Sequence, residues 1–209
     1  MYKIVLASNS PRRKQILDQL NIEYEICPSG VEETVSSSVP TEVCQELASK
    51  KAMDVAASIR TYNELHKDIV SPQNILVIGA DTIVAANEEI LGKPSDENDA
   101  VRMLKMLQNS SHSVFTGVAF VFISKEGRVG EYHFYEESKV YFYPMGDDDI
   151  KRYIDSGEPM DKAGAYGIQG KAAEFVRSID GDYYNVMGFP IARILNELKT
   201  LGVKIKRYY

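Results

Sequence analysis

The residues best placed to do chemistry sit in Ser8-Asn-Ser-Pro-Arg-Arg-Lys14. Before them runs Tyr2-Lys-Ile-Val-Leu-Ala7, short, apolar and β-branched at its centre, the pattern of a buried strand. After them Ile16, Leu17 and Leu20 recur at helical spacing, with Pro11 in the first turn, where its missing N–H breaks no helical bond. A strand that turns through Ser and Asn into a helix offers unpaired backbone N–H groups and the positive end of the helix dipole, a place for an anion. Arg12 and Arg13 add two planar forks able to grip a phosphate through paired bonds. The plain structural alternative, a helix start with solvated arginines, accounts for this stretch equally well.

A second candidate is Asp81. It follows Ile75-Leu-Val-Ile-Gly-Ala80, the most apolar strand pattern of the chain, where that strand is expected to end. Ligands of open α/β sheets bind beyond the carboxyl ends of strands. The first strand ends at Ser8, so parallel neighbouring strands would bring Asp81 and the arginines to one crevice. A carboxylate there could act as a general base, tuned by burial or a neighbouring acid, or as a metal ligand. Both roles stay open, beside a structural one in which Asp81 caps a turn or bonds Thr82. Lys50 and Lys51 fall mid-helix and diverge by about 100°, so at most one points into any given cleft. Lys14 and Lys50 read as solvated. His66, His112 and His133 are isolated and expected at the surface or in turns, which disfavours zinc.

The elements that must position these groups interleave strands and helices. Ile22–Cys27 alternates as a second strand after a turn near Asn21, and Pro40 opens a long helix carrying Val43, Leu47, Val55 and Ile59. Arg60 to Asn74 reads as a surface excursion. Ile83–Ala86 and Glu89–Leu91 flank Asn87-Glu88 as a hairpin, and Ser95 is the expected N-cap of a helix with Val101, Leu104 and Leu107. Val114–Ser124 and Val129–Tyr143 predict a long antiparallel pair. A short helix follows from Asp147 to Ser156, then a strand over Phe175–Ile179, a turn at Asp180-Gly181 and a last helix from Pro190 to about Leu201. The tail beyond Val203 reads as peripheral. The fold class is α/β, a mixed sheet with flanking helices.

At 209 residues and 44% hydrophobic content, the chain can bury a substantial core as one domain or two intimate lobes. A net charge of −6 argues against nucleic acid or an anionic membrane as the main partner, and makes the Arg12, Arg13, Lys14 cluster stand out as a local anion pocket. Cys27 and Cys44 form no disulfide framework or metal spacing. With no signal peptide, and no apolar run near the ~18 residues of a membrane span, a soluble cytoplasmic protein is expected.

Ser8-Asn-Ser-Pro-Arg-Arg13, Gly79-Ala-Asp-Thr82, Gly92-Lys-Pro94 and Gly157-Glu-Pro-Met-Asp-Lys-Ala-Gly-Ala-Tyr-Gly-Ile-Gln-Gly170 together resemble the Maf family, also called septum formation inhibitor proteins. The motifs keep the family's order and approximate spacing over nearly the whole chain. The resemblance implies one domain over residues 1–209, two lobes around a deep cleft, and kinship with the inosine triphosphate pyrophosphatases. It implies hydrolysis of a nucleoside triphosphate to the monophosphate and pyrophosphate with a divalent cation, Mg²⁺ or Mn²⁺. By position it implies Ser8, Arg12, Arg13, Thr82 and Gln169 for substrate binding, Asp81, Lys51 and Lys93 for catalysis, and Glu33 for the metal. Glu32 reads as a loop acid. Paired arginines after Ser-Pro, Thr after the key Asp and Gln in the late motif mark the branch acting on dTTP and UTP, whereas the branch acting on 7-methyl-GTP has an aromatic residue where Arg12 stands. The extended Arg60–Asn74 region departs from the pattern and touches only peripheral contacts.

The implied reaction needs phosphate charge neutralised, a metal, and a group to activate water. Arg12, Arg13, Lys51 and Lys93 are the cations at motif positions. A glutamine amide carries both donor and acceptor, matching the O4/N3–H edge shared by uracil and thymine. Gly164, Gly167 and Gly170 either let backbone donors approach the nucleotide or only shape a turn. An Asp161–Lys162 ion pair is expected to prop that loop, and Tyr166 either stacks on a base or packs in the core. Aromatic residues along Tyr132–Tyr143 permit a homodimer. A rival reading is a regulatory nucleotide-binding protein that restrains septum formation with little hydrolysis.

Overall fold

A computed structural model of the chain describes residues 1–68 and 72–208. Its strands are β1 (Lys3–Leu6), β2 (Tyr24–Ile26), β3 (Ile75–Ala86), β4 (Glu89–Leu91), β5 (Ser111–Ile123), β6 (Val129–Phe142) and β7 (Val176–Asp180). Its helices are α1 (Pro11–Gln19), α2 (Pro40–Leu65), α3 (Glu97–Leu107), α4 (Asp147–Ile154), α5 (Tyr183–Val186) and α6 (Ile191–Thr200). One mixed sheet runs in the order β2-β1-β3-β5-β6-β7, with β4 paired to β3 off that path. The fold is the α/β mixed sheet with flanking helices expected from the alternation of patterns.

Parallel neighbours need long crossovers, and α1 and α2 supply them: β1 pairs in parallel with both β2 and β3, Leu6 lying opposite Ile78. The near-continuous apolar run of β3 is buried from Ile75 through Asp81, as a strand covered on both faces requires. At its far end Asn87 and Glu88 take φ of 49° and 65°, the left-handed pair that closes a tight hairpin onto β4.

The chain divides into two compact units. The first comprises Met1–Asp81, Gly117–Tyr135 and Ile191–Tyr209; the second comprises Thr82–Thr116 and Glu136–Pro190. The first has a core of Val5, Val77, Ala119 and Val121 under the small-residue face of α2, Ala48, Ala52, Val55 and Ala56. In the second, Met103, Leu104 and Leu107 of α3 and Ile150, Tyr153 and Ile154 of α4 pack with Val84, Val140, Phe142 and Phe175.

Several expectations are corrected. β3 does not end before Asp81 but continues to Ala86, because the apolar pattern resumes at Ile83 and the hairpin gives that half a partner. α2 extends through Leu65, so the first part of Arg60–Asn74 is helix, with the His66 ring stacked on Tyr62 at 4.2 Å; residues 69–71 of that stretch lie outside the described residues. The cap of α3 is Asp96, whose side chain accepts from Asp99 N at 2.9 Å, while Ser95 N donates to the Asp99 carboxylate at 3.0 Å. The tail is not peripheral: Tyr2 N donates to Lys204 O, Tyr208 N to Asn21 O, and Lys206 Nζ lies 2.6 Å from Glu23. His112 is buried, not superficial.

Candidate active site

In the first unit the site starts at the turn after β1. Ser8 Oγ accepts from Ser10 N at 3.2 Å and from Arg13 Nη1 at 3.0 Å, tying the turn to the first coil of α1. Arg13 shares the buried face of α1 with Ile16 and Leu17, three and four residues on. No side chain caps that helix end. Arg12, one position away, is half-buried.

Asp81 comes from β3 and Lys51 from α2, and a glycine explains how they meet. Gly79 and Asp81 point to the same face of β3. A Cβ at Gly79 would run into the Ala48 carbonyl and stand 2.9 Å from the Ala52 Cβ, so the helix backbone rests on the strand there. Two residues further on, Lys51 Nζ reaches Asp81 Oδ1 at 2.5 Å and Glu33 Oε1 at 2.7 Å. Gly117 serves the same approach at the Cys44 carbonyl. Lys50 turns away to Glu46 at 2.8 Å and the Thr34 carbonyl. One lysine of the pair faces the acid, as their angular divergence requires.

Ser8, Arg13 and Asp81 are each only 9% exposed, which makes this cluster costly unless its charges offset one another. Burial raises the Asp81 carboxyl above the ordinary carboxylate value; Lys51 and then Arg13 pull against that shift, and Glu33 adds to it. Burial lowers the Arg13 guanidinium, opposed by Asp81. Asp81 is thus moved toward the range in which a carboxylate can accept a proton at neutral pH.

In the second unit, Thr82 Oγ1 lies 3.0 Å from Thr116 Oγ1, and Thr116 donates to the Asn185 carbonyl at 3.0 Å. Gly92-Lys93-Pro94 is held beside the glycine-rich stretch, since Gly164 N donates to Gly92 O at 3.0 Å, and Lys93 is exposed. The stretch itself is braced by Glu158, a residue the sequence did not single out. Its carboxylate accepts from Tyr153 OH at 3.0 Å and Lys171 N at 2.9 Å, while Tyr153 OH accepts from Gly167 N at 3.3 Å. The pinned residues bracket Gln169, which is exposed. Added Cβ atoms would strike Lys162 at Gly167 and the Glu158 carboxylate at Gly170. The N–H groups of Gly164, Gly167 and Gly170 donate to Gly92 O, Tyr153 OH and Gly167 O. These glycines admit protein side chains, and the turn-shaping reading holds over the backbone-donor one. Asp161 and Lys162 do pair, at 2.6 Å. Tyr166 is a core residue, bonded to His112 Nε2 at 2.8 Å.

Residues 3–201 match the family described as Maf-like protein. The chain belongs to the Maf-like protein family. A dTTP/UTP pyrophosphatase of Agathobacter rectalis is 54% identical over 98% of this chain and 100% of its own. One of Lachnoclostridium phytofermentans is 44% identical over 98% of each. Among solved structures, a HAM1 protein from Coxiella burnetii covers 94% of this chain and 100% of its own at 16% identity, with a TM-score of 0.45.

The first unit of this Maf-like chain brings two carboxylates to one lysine. Asp81 and Glu33, distant in sequence, direct carboxylate oxygens at one point, where the Lys51 ammonium stands. No group of three His, Cys, Asp or Glu suited to a metal occurs among the described residues. Two carboxylates suffice for a hard cation that takes its remaining ligands from phosphate and water. No helix among the described residues is long and apolar enough to cross a membrane.

Proposed function

We infer that this protein hydrolyses nucleoside triphosphates, dTTP and UTP foremost, to the monophosphate and pyrophosphate. The observation that carries the reading is the buried Asp81, paired to Lys51 and raised by burial, in a chain alike over its length to relatives of that name.

In the proposed mechanism Arg12 and Arg13 grip phosphate oxygens, with the first-turn N–H groups of α1 behind them. Lys51 exchanges its bond to Asp81 for one to phosphate, which leaves Asp81 able to take a proton. Water attacks the α-phosphorus, its proton passes to an Asp81 carboxylate oxygen, and the bond to the β-phosphate oxygen breaks as pyrophosphate leaves. Lys93 neutralises charge on the departing phosphates. Thr82 and Gln169 read the base edge, and the uracil–thymine difference, the 5-methyl, lies to one side of that contact. Glu33 would hold Mg²⁺ or Mn²⁺. When bound, such an ion neutralises phosphate charge and polarises the bond under attack.

The same reading places the protein in the cytoplasm with the nucleotide pool, apart from nucleic acid, as a monomer or homodimer that sedimentation distinguishes. A panel of triphosphates assayed with Mg²⁺ or Mn²⁺ tests the activity. One pyrophosphate per monophosphate is expected; stepwise orthophosphate release, or binding without turnover, would overturn it. Asp81→Asn is expected to bind UTP but lose turnover by a factor of about 10² or more; wild-type turnover would remove Asp81 from the base role.

A further inference from the structure

Between β2 and α2 the chain from Cys27 to Val39 forms neither helix nor strand, so its backbone polar groups need partners from elsewhere. One ridge of α2 supplies them. Asp54 Oδ2 accepts from Ser29 Oγ at 2.7 Å and from Gly30 N at 3.1 Å. Lys50 Nζ donates to Thr34 O. Glu46 Oε2 accepts from Ser36 N at 3.0 Å and from Ser36 Oγ at 2.9 Å, and Glu42 accepts from Ser37 Oγ at 2.5 Å. These helix positions are four apart, the interval that keeps side chains in one row. Their partners come in reverse order, so the segment doubles back along the helix that follows it.

Glu33 lies between the fixings at Gly30 and Ser36, and its carboxylate stands 2.7 Å from Lys51 Nζ. The Glu33 side chain is 59% exposed, and an ion pair so open to water contributes too little to order the backbone around it. The backbone that carries Glu33 is instead fixed on both sides by α2. Asp54 and Glu46 do this through carboxylates that take backbone N–H groups, a charge-assisted bond stronger than a neutral one.

We propose that Asp54 and Glu46 are positioning residues that hold the segment carrying Glu33 along α2, so that Glu33 is in place for the cation before the nucleotide arrives. This rests on the reading of Glu33 as the residue that holds Mg²⁺ or Mn²⁺. A carboxylate already ordered gives up less freedom on binding, and a loosened segment forfeits that advantage.

The α,β-methylene analogue of UTP, which resists cleavage between those phosphates, allows binding to be read without turnover. Calorimetry with Mn²⁺ and again with EDTA gives, as a ratio of affinities, the gain that the metal brings. Asp54→Ala is expected to lower that gain about tenfold, the lower end of what residues supporting a metal ligand usually cost. Asp54→Asn retains an oxygen for Ser29 and Gly30 and keeps the gain of the unaltered protein. Glu33→Ala also lowers the gain, and in that background Asp54→Ala lowers it no further. Amide hydrogen exchange reports the segment directly: it quickens at Gly30 in Asp54→Ala and at Ser36 in Glu46→Ala.

An undiminished gain in Asp54→Ala, no recovery in Asp54→Asn, a further loss in the Glu33→Ala background, or unaltered exchange would each overturn the proposal. Should Asp54→Ala fail to fold, Glu46→Ala, with Glu46→Gln as its conservative counterpart, is held to the same outcomes. If Glu33→Ala itself leaves the gain unchanged, the reading of Glu33 falls and this proposal with it. A loss in Glu33→Ala without one in Asp54→Ala overturns this proposal alone.

Discussion

At the scale of single residues, two buried titratable groups predict how stability follows pH. The Asp81 carboxyl is raised in the folded protein, so between the ordinary carboxylate value and its folded value the native state binds more protons than the unfolded chain. Stability from this group therefore falls as pH rises through that window, and the cost persists at neutral pH. Asp81→Asn is expected to melt at or above the wild-type temperature at pH 7.5 while losing turnover, with Lys51 still held by Glu33; a lower melting temperature would show that the ion pair outweighs burial. His112 has the opposite sign. Burial pulls its imidazole down to about 4, so the unfolded chain takes the proton first as pH falls below about 6.5. Stability is then lost between those values, up to about 3 kcal/mol at 1.36 per unit. His112→Gln, which keeps a partner for Tyr166, should flatten that acid limb in melts from pH 7 to 4. The type of Asp81 was legible in the sequence; its place inside a strand that continues to Ala86 was not. The burial of His112 was not, because a lone histidine in a strand carries no mark of which face it takes.

At the scale of elements, the approach of α2 to β3 decides whether Lys51 can reach Asp81. Gly79 was legible as part of a motif, but its purpose was not: the atoms it would strike, in Ala48 and Ala52, lie about thirty positions earlier and belong to another element. Gly79→Ala is expected to push α2 outward, costing about 1–3 kcal/mol as overpacking usually does, and to lower turnover by displacing Lys51. Chemical denaturation and steady-state kinetics on one preparation would check both. A loss of stability with unimpaired turnover would mean the lysine follows the acid across the gap. The glycines of the late motif teach the same lesson. Their density announced an unusual backbone, yet that Gly170 makes room for Glu158 appears only once the stretch folds back on itself.

At the scale of the molecule, the described chain forms two compact units, each with its own core, and the C-terminal tail is bound into the first. Tyr2 and Ile22 bridge to Ile205 and Arg207, and Glu23 takes bonds from both Lys206 and Tyr208. Truncation after Val203 would strip these partners from the β2 side of the sheet. A lower melting temperature with the kcat of the full chain is expected; an unchanged melt would assign the tail no structural part. Composition marked the tail only as basic and aromatic, since its partners, Tyr2 and Asn21 to Glu23, lie at the other end of the chain.

The order of strands and helices, the hairpin at Asn87-Glu88, the anion-prone turn at Ser8 and membership in a motif-bearing family were determined by the amino-acid sequence alone. Periodicity, turn chemistry and short motifs act between near neighbours and can be read along a line. Which lysine meets Asp81 and why the glycines are glycines were decided by tertiary structure. Those facts depend on distances between atoms that only packing brings together, and on burial, which turns a nearby charge into a constraint.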